Sequence, residues 1–167
     1  MKKLSFIILS IMLLFSCTVQ KNAIVSWKDY TINSPCPPKS ECYLEVIENK
    51  SLLVKTDDTG HIYYNLQDTP GTNVVKYIYK TITDPKLQDA GYSESLIFET
   101  DGSSFNYTDM DIQKTKMLFN VQCFCRGKAG LRKVEKGIAK YDGKKLLIEI
   151  PALVEGQNTK QVAISFK

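Results

Sequence analysis

Hydrophobic and polar residues alternate along much of the chain beyond residue 40. In residues 73–83, Val75, Tyr77 and Tyr79 occupy one set of alternate positions, and two lysines lie in the other set. Similar alternation recurs in residues 42–49, 51–66, 93–100, 117–125, 135–150 and 160–167. Successive side chains of a β-strand point to opposite faces, so this period of two predicts a series of strands that each bury one face.

Turn signals separate these segments. Asp57–Gly60 divides residues 51–66 into two strands, and Asp142-Gly143 lies between the two halves of residues 135–150. We expect a two-residue type I′ turn at Asp142-Gly143, because glycine adopts a positive φ without steric cost. About eight to ten short strands, with a turn roughly every ten residues, predict an all-β fold that is a single antiparallel β-sandwich or barrel.

One short segment departs from the strand pattern. In residues 84–91, Asp84 suits an N-cap, Pro85 suits the first helical position and Gly91 suits a helix end. This segment predicts one or two helical turns in a chain where helix is otherwise scarce.

The N-terminus carries a different hydrophobic pattern. Residues 4–15 are apolar apart from two serines, and Met1-Lys2-Lys3 precedes them. The run is too short to span a bilayer but has the length of a signal-peptide core. A buried core helix would need polar residues at helical spacing, and this run has none.

The end of the run resembles the lipobox of bacterial lipoproteins, with Leu14, Ser16 and Cys17 in the expected places. Phe15 departs from the small or β-branched residue that is usual there. The resemblance implies cleavage before Cys17, a thioether-linked diacylglycerol on its sulfur and an acylated new N-terminus, which together suffice for stable membrane attachment. The implied organisation is a signal peptide at 1–16, the lipidated cysteine with a short tether at 17–22, and an all-β domain at 23–167.

The residues after Cys17 indicate which membrane the lipoprotein is sorted to. Thr18 stands where the inner-membrane retention rule of enteric bacteria requires Asp. The following "TVQKN" lacks the acidic cluster that marks surface-exported lipoproteins in some Bacteroidetes. The resemblance therefore implies the periplasmic face of the outer membrane, with the membrane itself as a partner through the Cys17 anchor.

Charge is distributed unevenly along the chain. Without residues 1–16 the chain has 20 basic and 18 acidic residues, a balance that excludes a typical nucleic-acid-binding domain. Residues 113–167 hold 12 of the basic and only 4 of the acidic residues, and much of the excess lies in 126–145. We interpret this excess as the solvated face of a hairpin. The alternative is a basic patch for anionic lipid headgroups or an acidic partner.

Four cysteines remain beyond Cys17: Cys36, Cys42, Cys123 and Cys125. Their even number and the oxidising compartment predict two structural disulfides. Cys36 and Cys42 flank the turn-like "PPKSE", whereas a bridge inside one flat strand would join Cα atoms about 6.6 Å apart and needs a bulge or a bend at Gly127. In the other solution, Cys123 and Cys125 each pair with one of the two N-terminal cysteines. The sequence leaves the connectivity open.

The "CFC" segment also allows a chemical role. Cys123 and Cys125 together could form a reducible pair or bind a soft metal such as Cu(I). Redox cysteines usually lie at a helix N-terminus, however, and this segment has a strand pattern. The single histidine, His61, follows a turn and is expected at the surface. We therefore predict neither a metal site nor a cofactor.

Other chemistry is less supported still. No P-loop, nucleophile-elbow or H-E-x-x-H motif is present, which favours a protein without catalysis. Oxygen ligands for Ca²⁺ occur in residues 100–111, but a polar loop is the preferred interpretation; the ligands are Asp101, Asn106, Asp109 and Asp111. An aromatic binding face made by Tyr63-Tyr64 with Tyr77 and Tyr79 is an alternative, although ordinary strand packing is favoured.

The predicted function is accordingly a non-catalytic binding or assembly role for an envelope protein, glycan or lipid. One alternative is a lipocalin-like carrier, which requires a closed barrel with an interior larger than its side chains fill. A second alternative is a thiol redox or metal-binding protein that uses Cys123 and Cys125. A sandwich that only binds proteins would instead expose an apolar or tyrosine-rich patch.

Overall fold

The computed structural model describes residues 27, 29–84, 86–87 and 89–167. The predictions that concern the signal peptide, Cys17 and the tether lie outside the described residues, as does the expected start of the domain at residue 23. Within the described part, no helix combines the length and the apolar character needed to cross a membrane.

The described residues form two antiparallel sheets, which confirms the all-β prediction and the sandwich. The strands are β1 (Tyr30–Ile32), β2 (Ser40–Thr56), β3 (Ile62–Thr81), β4 (Tyr92–Thr100), β5 (Phe105–Thr108), β6 (Leu118–Cys123), β7 (Gly130–Lys133), β8 (Ile138–Tyr141), β9 (Lys145–Glu149) and β10 (Gln161–Phe166). The first sheet has the order β1-β10-β9-β8-β5, and the second has the order β2-β3-β4-β6-β7.

The main core lies between the two sheets and follows the period-two pattern. Val75, Tyr77 and Tyr79 are buried on β3, as the alternation predicts, and so are Ile148 and Ile164 of the first sheet. Each of these side chains is no more than 6% exposed. Burial of apolar area at roughly 25 cal/mol per Å² drives the two sheets together.

A second core covers the outer face of the second sheet. The long β2–β3 hairpin has a register shift between Glu48 and Lys50, and its far half reaches β7 through one bridge between Ile62 and Leu131. Leu52 of this far half packs in one cluster with Val74, Ile97 and Leu118. Strands β3, β4 and β6 therefore bury both faces where their sequences are continuously apolar.

The hairpin turn between β8 and β9 differs from the prediction by one residue. Tyr141 pairs with Leu146, and the Asp142 N–H donates to the carbonyl of Lys145 at 3.3 Å, so Gly143 and Lys144 are the central residues. Only Gly143 has a positive φ, 92°, whereas a type I′ turn needs two such residues. The expected type I′ turn is therefore wrong.

The turns expected at 84–91 are found as one turn, capped by Asp84, among the described residues. The Asp84 carboxylate accepts the Lys86 N–H at 2.9 Å and the Asp84 carbonyl accepts the Leu87 N–H at 2.9 Å, which makes a single turn. Asp89 has φ 64°, a left-handed conformation that ends any helix there. The helix among the described residues is instead a 3₁₀ segment, Asp109–Thr115, in a stretch interpreted as a polar loop.

Candidate functional site: the disulfide end of the second sheet

Both pairs of cysteines lie at one end of the second sheet. Cys42 is near the start of β2 opposite Tyr79, and Cys123 ends β6 opposite Tyr92. We call this region the disulfide end; it comprises residues 36–42, 82–84, 86–87, 89–91 and 123–130. Disulfide bonds at both pairs would restrict the backbone where three connecting segments meet.

Cys36 and Cys42 are at disulfide distance, with Cα atoms 5.9 Å apart. The turn between them is closed by the Ser40 hydroxyl, which donates to the Pro37 carbonyl. The Lys39 carbonyl then accepts the Ile82 N–H at 2.8 Å. The bridge thus joins the segment arriving from the first sheet to the start of β2.

Cys123 and Cys125 are also at disulfide distance, with Cα atoms 5.2 Å apart. This separation is shorter than the 6.6 Å or so of a flat strand, because β6 ends at Cys123 and the chain turns. The turn includes Gly127 at φ 77° and a contact of 3.4 Å from the Lys128 N–H to the Cys125 carbonyl. The expected bend is therefore present, and the local pairs rather than the crossed pairs are close.

Arg132 orders the loop that follows. Its guanidinium donates to the carbonyls of Lys128 at 2.8 Å, Gly130 at 3.2 Å and Gly127 at 3.2 Å. The planar fork of arginine suits several acceptors at once. A residue in the basic run 126–145 therefore has a structural role.

The disulfide end presents three exposed apolar side chains. Phe124, between the two paired cysteines, is 88% exposed, and Ile82 and Leu87 are 59% and 60% exposed. Ile82 and Phe124 each lie one residue beyond the ends of strands separated by β4, so their backbones are roughly 10 Å apart. An open groove of about 480 Å³ adjoins Phe124; its walls include Lys80, Asp89, Gly91, Tyr92 and Gln122.

A buried carboxylate connects this end of the second sheet to the first sheet. Glu94 is 1% exposed and accepts the Tyr92 hydroxyl at 2.6 Å. It also accepts the backbone N–H groups of Asn158 at 2.8 Å and Thr159 at 2.6 Å. Burial and the hydrogen bond to Glu94 raise the pKa of the Tyr92 phenol well above its ordinary value. Glu94 thus joins β4 to the loop between β9 and β10.

That loop is organised by its own side chains as well. Gln157 is 6% exposed; its side chain accepts the Leu153 N–H at 2.7 Å and donates to the Thr159 carbonyl at 2.7 Å. Lys128 also lies 3.9 Å from the Glu155 carboxylate, which connects the loop to the segment after Cys125. The disulfide end therefore receives support from both sheets.

The other residues singled out in the sequence are not brought to this end. His61 lies at the tip of the β2–β3 hairpin, where Nδ1 is 2.6 Å from the Thr59 hydroxyl. Tyr77 and Tyr79 belong to the core, and burial raises the pKa of both phenols, so ordinary strand packing is confirmed for them. Tyr63 remains 41% exposed on the hairpin.

The candidate Ca²⁺ ligands are used locally. The Asp101 carboxylate accepts the Ser103 hydroxyl and the Ser103 N–H, the latter at 2.9 Å, and these hydrogen bonds lower the pKa of its carboxyl. Asp111 pairs with Lys114 at 3.0 Å in the 3₁₀ helix. Among the described residues, no three His, Cys, Asp or Glu side chains form a group that could hold a metal ion.

Sequence reasoning did not single out Phe124 or Glu94. Phe124 is in the same alternate set as the polar Asn120 and Gln122, and that is the signal that could have identified it as exposed. Glu94 stands at a core position of the β4 pattern, and a charged residue there is the signal that could have identified it. Comparison of the chain with protein-family models, with curated proteins and with solved structures finds no match.

Proposed function

We propose that this chain is a lipid-anchored, non-catalytic protein of the bacterial envelope that binds a partner protein through its disulfide end. The observation that carries the proposal is Phe124, an 88% exposed aromatic side chain between two cysteines at disulfide distance. Interfaces derive much of their binding energy from a few aromatic or arginine anchors. A side chain on a cross-linked turn loses little backbone entropy on binding, which favours affinity.

The surroundings of Phe124 support a protein partner. Ile82 and Leu87 are two further exposed apolar side chains of the disulfide end, and Lys80 and Asp89 supply charges beside the groove. An apolar centre with a polar rim is the usual anatomy of a protein interface. The partner surface that fits it is an apolar pocket or groove able to receive a phenyl ring.

The anchor and the location rest on the lipobox alone. In the proposal, Cys17 carries the acyl chains and the protein is held at the periplasmic face of the outer membrane. The described chain enters the first sheet near Trp27 and Tyr30, beside the end of β10. The loop that contacts Glu94 leaves the opposite end of the same sheet, which favours a disulfide end directed away from the membrane.

The two alternatives have less support. The sandwich interior holds fully buried side chains such as Phe98 and Phe119, and the sheets do not form the single closed barrel that a lipocalin-like carrier requires. For a redox role, the Cys123–Cys125 pair lies at a strand end, whereas a lowered thiol pKa usually depends on a helix N-terminus.

Site-specific photo-crosslinking in living cells tests the proposal. A photoreactive phenylalanine analogue replaces Phe124, and a matched control carries it at Met110, which is 65% exposed on the 3₁₀ helix. We expect one discrete cross-linked product from position 124 and none from position 110. In the chain without the analogue, Phe124→Ser should abolish co-purification of the partner protein found in that product. The urea midpoint of unfolding should stay unchanged.

Equal cross-linking at both positions, or none at 124, would contradict the binding site. Intact mass of the membrane-extracted protein tests the anchor separately. Diacylglycerol on Cys17 is the expected result, and a mass that begins at Met1 would refute the location.

A further inference from the structure

Four lysines gather at the end of the first sheet where the described chain begins. Lys140 is the penultimate residue of β8, Lys144 lies in the following turn, Lys145 begins β9, and Lys167 follows β10. Backbone hydrogen bonds join these segments: the Phe166 N–H donates to the Lys144 carbonyl at 2.7 Å, and the Lys167 N–H donates to the Asp29 carbonyl at 3.0 Å. We call this group the basic end.

The basic end is not neutralised by its surroundings. All four lysines are exposed, and among the described residues none of their ammonium groups lies within 4.0 Å of a carboxylate. The acidic residues described beside them are Asp29 and Asp142. Asp142 accepts the backbone N–H groups of Lys144 and Lys145 at 2.8 and 2.7 Å, so its charge stabilises the turn.

A shallow groove lies beside these lysines. An open groove of about 660 Å³ lies between Lys140 and Lys145, with Tyr141, Asp142 and Leu147 among its walls. Lysine is a flexible point charge that binds phosphate without the strict geometry of arginine. The groove is therefore suited to a phosphate group that approaches from solvent.

The place where the chain joins the first sheet indicates which end of the domain faces the membrane. Trp27 packs against Tyr141 and Phe166, with ring centroids 5.4 and 4.9 Å away. Nine residues separate Cys17 from Trp27, a span of at most about 35 Å when fully extended. An acylated Cys17 would thus keep the basic end near the membrane surface.

We infer that the basic end docks on the phosphate headgroups of anionic lipids in the membrane that carries the anchor. The inference rests on the proposed function, because the acyl chains on Cys17 bring the two surfaces together. Each lysine near an anionic surface strengthens binding by about fivefold at physiological salt. Docking by this end holds the disulfide end away from the bilayer, where a partner can reach Phe124.

Three of the four lysines lie in the basic run 126–145, but the fold divides that run between the two sheets and adds Lys167. Within the basic run 126–145, Arg132 caps a loop and Lys128 lies near Glu155, both in or beside the second sheet. Lys167 lies outside that run but joins Lys144 and Lys145 through pairing of β10 with β9. The basic end is therefore a product of the fold.

Lysine labelling in vesicles tests the inference on the acylated protein. The purified protein is placed in phosphatidylcholine vesicles with or without phosphatidylglycerol and treated with an impermeant amine reagent, and each lysine is quantified by mass spectrometry. We expect labelling of Lys144 and Lys145 to fall about fivefold or more on anionic vesicles. Lys80 and Lys86 at the disulfide end should react equally in both.

Two outcomes would overturn the inference: no protection at all, or equal protection on neutral and anionic vesicles, which would mean proximity without headgroup binding.

Intact mass of the same sample reports whether Cys17 is acylated. If Cys17 proves unacylated, the anchor fails, and co-sedimentation of the protein with the same vesicles measures the basic end alone. There, K144Q/K145Q/K167Q should weaken anionic binding on the order of 100-fold. The matched triple K39Q/K80Q/K86Q should leave it unchanged, and equal effects of the two triples would refute the inference.

Discussion

Replacement of Glu94 by glutamine should be among the most destabilising isosteric changes in this protein. The carboxylate accepts two buried backbone N–H groups, from Asn158 and Thr159, and the Tyr92 hydroxyl. Gln has one acceptor oxygen, so at least one backbone N–H is left facing an amide NH₂ group. A buried donor without a partner costs about 1–3 kcal/mol, and hydrogen bonds to a charged acceptor contribute about 1.5–3 kcal/mol each.

We therefore expect Glu94→Gln to lower the free energy of unfolding by roughly 2–5 kcal/mol. For a domain whose total stability is about 5–15 kcal/mol, this is a large fraction. Urea unfolding followed by fluorescence of Trp27, the one tryptophan in the chain, measures the change. With m of about 1–3 kcal/mol/M, the midpoint should fall by about 1 M or more at constant m.

The matched control is Glu45→Gln on β2 of the same sheet. The Glu45 side chain is 48% exposed, and its carboxylate lies 3.4 Å from Lys76. Exposed ion pairs contribute about 0–1 kcal/mol, so this variant should remain close to the wild-type midpoint. If Glu94→Gln and Glu45→Gln unfold at the same urea concentration, the assignment of Glu94 as the link between β4 and the β9–β10 loop is incorrect.

Three further predictions concern stability. Gly137→Ala should cost about 2 kcal/mol or more in urea unfolding, because Gly137 has φ 155° and an added Cβ would collide with the Glu149 carbonyl; a wild-type midpoint would contradict this. Glu99→Gln should speed hydrogen exchange in the far half of the β2–β3 hairpin, since Glu99 accepts the Leu52 N–H at 2.8 Å and the Lys116 ammonium at 2.8 Å; unchanged exchange there would count against it. Stability should fall as pH rises above about 10, by up to about 1.4 kcal/mol per pH unit for each tyrosine whose pKa is raised in the folded state, because the unfolded chain then loses protons that the folded chain keeps. A urea midpoint that is constant from pH 9 to 11 would refute this last prediction; the tyrosines are Tyr77, Tyr79, Tyr92 and Tyr141.

Much of the strand content could be predicted because strand formation depends on local alternation. The buried sets on β3, β9 and β10 are those expected from the period-two pattern, and the bend after Cys123 follows from the nearby Gly127. The wrong turn type at Asp142-Gly143 and the left-handed Asp89 before the expected stop at Gly91 depend on local geometry that differs by a single residue or a single φ angle. Turn type is decided by the register of the flanking strands, which the turn residues alone do not specify.

The candidate site could be predicted only in part. The even cysteine count predicted two bridges and the turn between Cys36 and Cys42 allowed a local pair, but the connectivity stayed open and nothing local indicated that both pairs would lie at the same end of one sheet. Phe124 is in the same alternate set as Asn120 and Gln122, which indicates exposure, whereas the burial of Leu118 in that set depends on the β2–β3 hairpin that covers it. Burial is decided by the elements that pack above and below a residue.

The sequence by itself determined the class of fold, the positions of most strands, the N-terminal signal pattern and the supply of cysteines. The tertiary structure alone decided that the β2–β3 hairpin covers the outer face of its own sheet, that Glu94 meets Asn158 and Thr159, and that Lys167 lies beside Lys144. The physical reason is the range of the interactions. Alternation and turn chemistry act over a few residues, whereas these contacts join residues 20 to 70 positions apart and arise only when strand register and sheet packing have brought them together.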